Sequence, residues 1–335
     1  MTAKEPLMAQ NVHFSQFHLA PVQTNPASIA TSNQTQIIFN YRNQSIGAGQ
    51  AYQTPMVSLI YPWIKKRRIR KAAFGLSFLQ DKTGEGGILN TTGGLATLAY
   101  NFSLSSQGEV DTLRRYRPFL SLGAQAGYYQ RQVNADALTT GSLWNGSNVD
   151  PSLPIGEPLE MLNARETFAV VHAGALFYLA DNCGETKAYF GVNVQNVNQP
   201  ESDFFNQASP IPLYYIMSGG INFNVSPYIT LQPNVRWVQE KNTREIRTGA
   251  LAYYNFFGTG SLFGEGKVGA GLWYDTNSAL VLGIEVHQPK YFIGFSYDMG
   301  ASSPVRTLGN TSWELTLGIK LGRRCLEQEA PKEYH

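Results

Sequence analysis

Charged residues are scarce in this chain: Asp, Glu, Lys and Arg make up 15% of its 335 residues, against about 25% in a typical soluble domain. Long apolar runs are also missing, since none approaches the roughly 18–20 residues that a membrane-spanning helix needs. The mean hydropathy of −0.23 likewise argues against a helical membrane protein. With a net charge of +2, the chain as a whole predicts no nucleic-acid or other polyanionic partner.

Cysteine is nearly absent. The two that occur, Cys183 and Cys325, are too far apart in sequence to form a metal-binding knuckle. They could form one disulfide in an oxidising compartment, but geometry decides that, and we expect two unpaired thiols. The five histidines are not spaced as metal ligands, and the G-x-S-x-G elbow of a hydrolase is missing. The sequence therefore predicts no metal, no cofactor and no enzyme activity.

Glycine and aromatic residues are abundant, with 32 Gly, 18 Phe and 18 Tyr. Apolar and polar residues alternate with period two in most of the chain, which predicts strands with one apolar and one polar face. The clearest case is 312–321, where Leu315, Leu317 and Ile319 alternate with Glu314 and Thr316. Low charge, many aromatics and alternation together are typical of a transmembrane β-barrel. A large soluble all-β protein is the alternative.

The alternation predicts 14 strands, an even number as bacterial barrels have. Many of them are long enough to cross a bilayer at a tilt, at 9 residues or more. The predicted strands are 35–42, 52–61, 69–80, 92–102, 116–130, 166–180, 187–197, 213–224, 228–239, 244–256, 266–275, 278–287, 290–299 and 312–321.

An even strand count places both chain termini on the periplasmic side of a bacterial outer membrane. The longest connection, at 131–165, and two other long ones, at 198–212 and 300–311, then face the outside, whereas the predicted periplasmic turns are mostly short, except for 103–115. The connection at 131–165 contains Trp144 and several prolines, which favours an ordered cap or binding surface. The turn at 65–71 contains six basic residues, which are Lys65, Lys66, Arg67, Arg68, Arg70 and Lys71. It is either a solvated turn or a docking site for a periplasmic partner.

Polar residues on the predicted lumen faces could line an open pore. They are Asn193, Gln195, Gln232, Asn234, Arg236, Glu285, Glu314 and Lys320. A packed polar interior and a plugged barrel are the alternatives. Because the N-terminal 34 residues and the connection at 131–165 are long enough to fill a lumen, we favour a plugged or capped barrel.

Three phrases near the N-terminus stand out: the first two follow no helix or strand period, and the third runs from the first predicted strand into a polar edge. They are His13-Phe14-Ser15-Gln16-Phe17, Asn25-Pro26-Ala27 and Tyr41-Arg42-Asn43-Gln44. Together with Asn198-Gln199-Pro200 and later phrases in the same order, they resemble the PorP/SprF family of type IX secretion system outer-membrane proteins. We treat His13–Phe17, Asn25, Pro26, Arg42–Gln44, Trp144 and Asn198–Pro200 as candidates for plugging or partner binding.

The resemblance implies a non-enzymatic barrel of 14 strands in the outer membrane. It also implies a partner that is either the C-terminal domain of a secreted surface adhesin or a component of the periplasmic motor ring, such as a lipoprotein. A channel or small-molecule transporter is the alternative function. The expected division is a periplasmic or plug segment at 1–34, a barrel in outer-membrane lipid at 35–321 and a periplasmic tail at 322–335. Since Met1–Gln10 lacks the apolar region of a signal peptide, we expect the native chain to start upstream.

Overall fold

The computed structural model describes residues 13–46, 50–65, 69–84, 87–104, 116–134, 164–181, 183–202, 209–256, 265–276, 279–300 and 311–322. Its strands are β1 (Thr35–Ile46), β2 (Gln50–Lys65), β3 (Ile69–Thr83), β4 (Leu89–Ser103), β5 (Arg117–Val133), β6 (Arg165–Ala180), β7 (Thr186–Gln195), β8 (Glu201–Ser202), β9 (Ser209–Pro210), β10 (Tyr214–Ile221), β11 (Phe223–Asn224), β12 (Ile229–Glu240), β13 (Thr243–Phe256), β14 (Gly266–Asp275), β15 (Ala279–His287), β16 (Tyr291–Gly300) and β17 (Thr311–Leu321).

The sheet closes into a barrel. Each long strand pairs antiparallel with the next, and β1 pairs with β17 from Thr35↔Leu321 to Ser45↔Thr311. Strands β10 and β11 form one crossing, and β10 pairs with both β7 and β12. The short β8 and β9 form a separate hairpin in the connection after β7. The fold is therefore a closed 14-stranded antiparallel barrel, as predicted, and every predicted strand is present.

The two faces of the wall have opposite character. On β17, Leu317 and Ile319 point outwards and are 41% and 52% exposed, whereas Glu314 and Thr316 point inwards and are 1% exposed. The same alternation occurs on the other long strands. An apolar outer surface around a polar interior suits a bilayer and would not suit water. The soluble all-β alternative does not fit this arrangement.

The two ends of the barrel differ. At one end, which we call the terminal end, β1 begins and β17 ends. At the other, the loop end, three long connections at 134–164, 196–213 and 301–310 join the strands. Much of these connections, including Trp144, lies outside the described residues. In bacterial barrels the longer connections are extracellular, so the loop end is expected to face outwards.

The lumen is filled by residues 13–32, which we call the plug. It contains a 3-10 helix at Phe17–Leu19, a single α-helical turn at Pro21–Thr24 and a second 3-10 helix at Pro26–Thr31. Its apolar side chains complete the core of the molecule. The main core cluster joins Leu19, Val22, Ile29 and Ala30 of the plug to Ile38, Ile60, Ala73, Ala99 and Phe292 of the wall. The predicted filling of the lumen by the N-terminal segment is confirmed, whereas the predicted contribution of the 131–165 connection falls outside the described residues.

Cys183 is disulfide-bonded, so the prediction of two unpaired thiols is wrong. Cys183 lies in the turn between β6 and β7 at the terminal end, where β17 also ends. Closure of the barrel brings sequence-distant segments to this end: Asn33 donates to the carbonyl of Gly184 at 3.0 Å, and Gln34 donates to that of Gly322 at 3.1 Å. Cys325 lies outside the described residues. In the described part of the chain, helices are too short or too polar to cross a membrane.

Candidate functional site

The plug runs lengthwise through the lumen. His13 lies 3.7 Å from Glu245, near the loop end of β13. Asn33, just beyond the plug, contacts the β6–β7 turn at the terminal end. The chain therefore enters β1 at the terminal end, and the first described residue lies near the loop end. This path brings the first two N-terminal phrases against different sides of the wall, whereas the third, Tyr41–Gln44, is part of β1 and so of the wall itself.

The irregular backbone of the plug is held by side chains of the wall. Buried carbonyl groups need hydrogen-bond donors, and a 3-10 or coil segment leaves many of its own unpaired. Seven plug carbonyls accept from inward-facing side chains of β1, β4, β5, β7 and β12. These bonds are Arg236 to Phe14 (2.9 Å), Asn40 to Leu19 (3.4 Å), Gln125 to Val22 (3.4 Å), Gln195 to Gln23 (3.1 Å), Asn193 to Thr24 (3.0 Å), Ser121 to Ala27 (2.9 Å) and Asn101 to Ala30 (2.9 Å).

Asn25 anchors the middle of the plug. Its side-chain amide donates to the carbonyls of Ala175 at 3.1 Å and Val192 at 3.2 Å, and its side-chain oxygen caps the following 3-10 helix by accepting from Ala27 N at 2.9 Å. The amide side chain thus forms hydrogen bonds with both the wall and the plug. Aspartate would lose both donors, and serine would be too short to reach the wall.

Glycines of the wall make room for the Asn25-Pro26-Ala27 phrase. A Cβ at Gly123 would lie 2.3 Å from the Ala27 nitrogen, and one at Gly174 would lie 2.1 Å from Asn25 Oδ1. Distances of this kind are far below van der Waals contact. The close approach of plug to wall therefore requires glycine at these inward positions.

Replacing Asn25 with Leu should destabilise the barrel by about 1–3 kcal/mol, because the substitution removes three buried hydrogen bonds and adds none. The unfolding midpoint in urea, measured on barrel refolded in lipid vesicles, tests this. Asn224→Leu is the matched control, since Asn224 is exposed on β11, and its change should stay within about 0.5 kcal/mol. Equal shifts for the two variants would contradict the anchoring role of Asn25.

A buried ion-pair network surrounds the loop-end part of the plug. Arg42 on β1 donates to Glu314 on β17 and, at 2.8 Å, to the hydroxyl of Ser15. Asp298 on β16 accepts from the Ser15 hydroxyl and lies 3.5 Å from Arg42. The backbone N–H of Gln16 donates to Glu314 at 2.9 Å. Because β1 runs to Ile46, four residues beyond its predicted end, Arg42 lies inside the lumen and not at the rim.

A second group of charges continues the network across β12, β13 and β14. Arg236 donates to Glu245 at 2.6 Å, and Arg247 binds Asp275 at 2.8 Å. Burial lowers the pKa of His13 to about 4, although the carboxylate of Glu245 opposes the shift. His13 is therefore neutral at pH 7. The network ties the loop-end part of the plug to the wall through charged groups, whereas the rest of the plug is held mostly by neutral amides.

A third polar cluster lies nearer the terminal end. Glu285 is fully buried and is contacted by His18 of the plug, by Tyr253 Oη at 2.7 Å and by His287 at 2.8 Å. His18 also stacks on Trp273, with ring centroids 5.8 Å apart. Within the described ranges, His, Cys, Asp and Glu form no group of three or more that could hold a metal ion. The cluster is a hydrogen-bonded contact between plug and wall.

The remaining candidates fall in different places. Gln16 and Phe17 are buried in the plug, Gln44 accepts from Arg42, and Asn43 is on the outward-facing side of β1. Asn198 pairs with the edge of β6 through Val171 N at 3.0 Å and Ala169 O at 2.8 Å. Gln199 closes the turn that contains Asn198 by donating to the carbonyl of Asn196 at 2.8 Å, and the carbonyl of Pro200 accepts from Ile211 N at 2.9 Å. In the basic turn, Lys66–Arg68 lie outside the described residues, Lys65 ends β2, Arg70 is on β3, and Lys71 is exposed.

The predicted pore-lining residues contact the plug or neighbouring side chains. Asn193, Gln195 and Arg236 hold plug carbonyls, and Glu314 binds plug N–H groups. Asn234 accepts from Trp273 at 2.8 Å, and Lys320 lies over the ring of Phe292. Sequence reasoning missed Asn40, Asn101, Ser121 and Gln125. Each of the four occupies an inward-facing position in the alternation of a predicted strand, which was the available signal. The alternation alone does not reveal which group such a side chain contacts.

Similar solved structures share little of their sequence with this chain. No curated protein sequence matches the chain. Among solved structures, the toluene transporter TbuX of Ralstonia pickettii is 10% identical, with a TM-score of 0.44 over 91% of this chain and 94% of that one. The monoaromatic hydrocarbon channel CymD is also 10% identical, with a TM-score of 0.41 over 93% of each chain. The β-domain of the Bordetella autotransporter BrkA is 12% identical, with a TM-score of 0.39 over 86% of this chain and 98% of that one.

The family model described as type IX secretion system membrane protein PorP/SprF matches residues 7–319. This match covers the plug and nearly the whole barrel. The segments that carry the resemblance, His13–Phe17, Asn25–Ala27 and Arg42–Gln44, are largely those through which the plug meets the wall. The chain therefore belongs to the PorP/SprF family of type IX secretion system membrane proteins.

Proposed function

We propose that this barrel is a non-enzymatic binding protein of the outer membrane, which anchors a secreted surface protein at its loop end. The observation that carries the proposal is the plug. Residues 13–32 fill the lumen and are bonded to strands on several sides of the wall. A barrel closed in this way is suited to hold a partner and not to conduct solutes.

The plug is packed as part of the hydrophobic core of the barrel and should not leave the lumen easily. Its apolar residues pack into three clusters with the wall, and Ile29, Ala27 and Val22 are almost completely buried. Withdrawing it would expose this apolar surface and leave the inward amides of β5 and β7 without partners. Each buried polar group left unpaired costs about 1–3 kcal/mol. The plug is therefore expected to stay in place while the barrel works.

The loop end is the favoured binding surface. It has the two longest connections of the barrel, at 134–164 and 196–213, and long loops on a rigid scaffold commonly carry binding function. The ion-pair network lies inside the lumen near this end. A partner bound there would be retained at the cell surface if the loop end faces outwards.

A second role is a link to the periplasmic secretion machinery through the terminal end. Leu104 and Tyr116 flank the connection at 105–115 and are 53% and 42% exposed. Exposed apolar residues beside a basic turn offer a surface for a periplasmic protein. Contact with outer-membrane lipid headgroups would use the same residues.

The purified barrel should give no steady conductance in planar bilayers and should retain a secreted surface protein in a gentle-detergent pull-down analysed by mass spectrometry. The physical reason is that residues 13–32 occupy the lumen and are bonded to several sides of the wall, which should block the passage of ions. The matched control is the same preparation from cells that lack type IX export, where the barrel should be recovered without the surface protein.

Open-pore currents together with recovery of the barrel alone would reject the binding role and favour the channel or transporter. Recovery of a periplasmic protein in place of a surface protein would favour the link through the terminal end. Neither experiment requires the partner to be known beforehand.

A further inference from the structure

We propose that the loop-end mouth of the lumen binds a positively charged, Lys- or Arg-rich segment of its protein partner. This inference rests on the proposed binding function and names the chemistry of the partner. The mouth is defined by the inward-facing charged residues near the loop end: Arg42, Asp81, Arg131, Glu166, Arg236, Glu240, Glu245, Arg247, Asp275, Asp298 and Glu314.

The charges in the mouth do not balance. Three guanidinium groups are matched by three carboxylates, in the pairs Arg42–Glu314, Arg236–Glu245 and Arg247–Asp275. Four further carboxylates remain, Asp81, Glu166, Glu240 and Asp298, and Arg131 is the one guanidinium of this set that is left to offset them. Neutral His13 adds no charge at pH 7. The mouth therefore carries an excess of negative charge, although the chain as a whole has a net charge of +2.

One of these carboxylates has unused bonding capacity. Asp298 is 6% exposed. Its Oδ2 accepts from Ser15 and faces Arg42, but its Oδ1 has no hydrogen-bond partner among the residues that the structure describes. A buried carboxylate oxygen without a donor is costly. A Lys or Arg side chain entering the mouth would supply that donor.

Two other carboxylates are held by hydroxyl groups. Asp81 accepts from Thr54 and, at 3.4 Å, from Thr83. Glu166 accepts from Ser202 in the β8–β9 hairpin at 2.9 Å. The hydroxyls orient these carboxylates without cancelling their charge, and the guanidinium of Arg131, which attracts both carboxylates, offsets one of the two negative charges.

The sequences of the connections that join strands at the loop end are acidic as well. The connection at 134–164 contains Asp136, Asp150, Glu157 and Glu160 and no Lys or Arg. The connection at 196–213 adds two more acidic residues, and that at 84–88 adds one. Only Lys241 and Arg306 oppose them among the loop-end connections. Complementary charge of this kind steers a partner into place and sets its orientation.

A cationic peptide of seven lysines tests the inference directly. The full barrel, placed in nanodiscs of zwitterionic lipid, should bind the fluorescently labelled peptide at low salt and lose at least about tenfold in affinity near 0.5 M salt, because salt screens exposed charges. A peptide of seven glutamates should not bind. Fluorescence anisotropy gives both affinities.

Substitution then locates the site. The double variant Asp81→Asn, Glu166→Gln should weaken binding about threefold to tenfold, since each exposed charge pair contributes about 0.2–1 kcal/mol. The matched control, Glu185→Gln with Glu265→Gln, removes two carboxylates at the terminal end and should change the affinity less than about twofold. Heat-modified migration in gel electrophoresis verifies that each variant is folded.

Equal binding of the two peptides, or equal losses in the two double variants, would overturn the inference. Capture of a surface protein by a barrel that does not bind the lysine peptide would also overturn the inference, but the proposed binding function would then stand. Steady conductance would instead reject the proposed binding function. The failure of the inference and the failure of the function can therefore be distinguished.

Discussion

Arg42→Met is expected to destabilise the barrel by about 3–5 kcal/mol, because it leaves buried carboxylates without their cation. Glu314 is 1% exposed and Asp298 is 6% exposed, and Arg42 is the guanidinium that contacts both. Glu314 would keep the backbone N–H groups of Ser15 and Gln16 as donors, which reduces the loss of stability but does not abolish it. Urea unfolding of the refolded barrel in lipid vesicles measures the effect.

Two further variants separate the ion pair from a general effect of removing a cation. Lys187→Met removes a partly exposed lysine that pairs with Asp181 and Glu185 at the terminal end, and it should cost only about 0–1 kcal/mol. The double variant Arg42→Met, Glu314→Gln should recover part of the lost stability, because one of the two carboxylates left without a cation is then replaced by a neutral amide. A loss for Arg42→Met no larger than that for Lys187→Met would refute the role given to the buried pair.

Most of the fold could be predicted from the sequence because alternation is a local property. Successive side chains of a strand, such as Thr316 and Leu317, point to opposite faces of the sheet, whatever they contact. Strand ends were less predictable. The polar sequence Asn43-Gln44 suggested an end to β1, but pairing with β2 and β17 carries the strand on to Ile46. Neighbouring strands therefore determined the length of β1.

The site could be predicted only in part, because it depends on closure of the sheet. Ser15 meets Glu314 and Asp298 across nearly the whole length of the chain, and the spacing of these residues in the sequence gives no sign of it. The disulfide at Cys183 was missed for the same reason. Resemblance identified Asn25 as a candidate, but the structure was needed to show that its amide bridges β6 and β7.

The ion-pair network and the glycine-lined pocket hold the plug in different ways. Arg42 and its partners fix the loop-end part through charge, which is strong but requires complete pairing. Gly123 and Gly174 fix the middle through close approach, which tolerates no added atoms. Changing the network should reduce stability while the plug remains inside, whereas changing the pocket should displace the plug itself.

Gly123→Ala should therefore destabilise the barrel by about 1–3 kcal/mol or more through overpacking. The new methyl group would lie 2.3 Å from the Ala27 nitrogen and 2.5 Å from the Pro26 carbonyl carbon. Backbone atoms cannot rotate away as a side chain can, so the plug has to move off β5. Displacement of the plug should also give intermittent ion currents in planar bilayers, which the unmodified barrel is expected to lack.

Gly219→Ala is the matched control for this change. It adds the same methyl group to a strand of the same wall, but the nearest atom would be 3.4 Å away, which is ordinary contact. It should change stability by less than about 1 kcal/mol, as is usual for a strand position outside tight packing. It should also give no currents. If Gly123→Ala unfolds with the same midpoint as Gly219→Ala and stays electrically silent, the plug does not depend on the glycine-lined pocket. If Gly123→Ala alone conducts, the pocket keeps the lumen closed, and the plug is what prevents the unmodified barrel from acting as a channel.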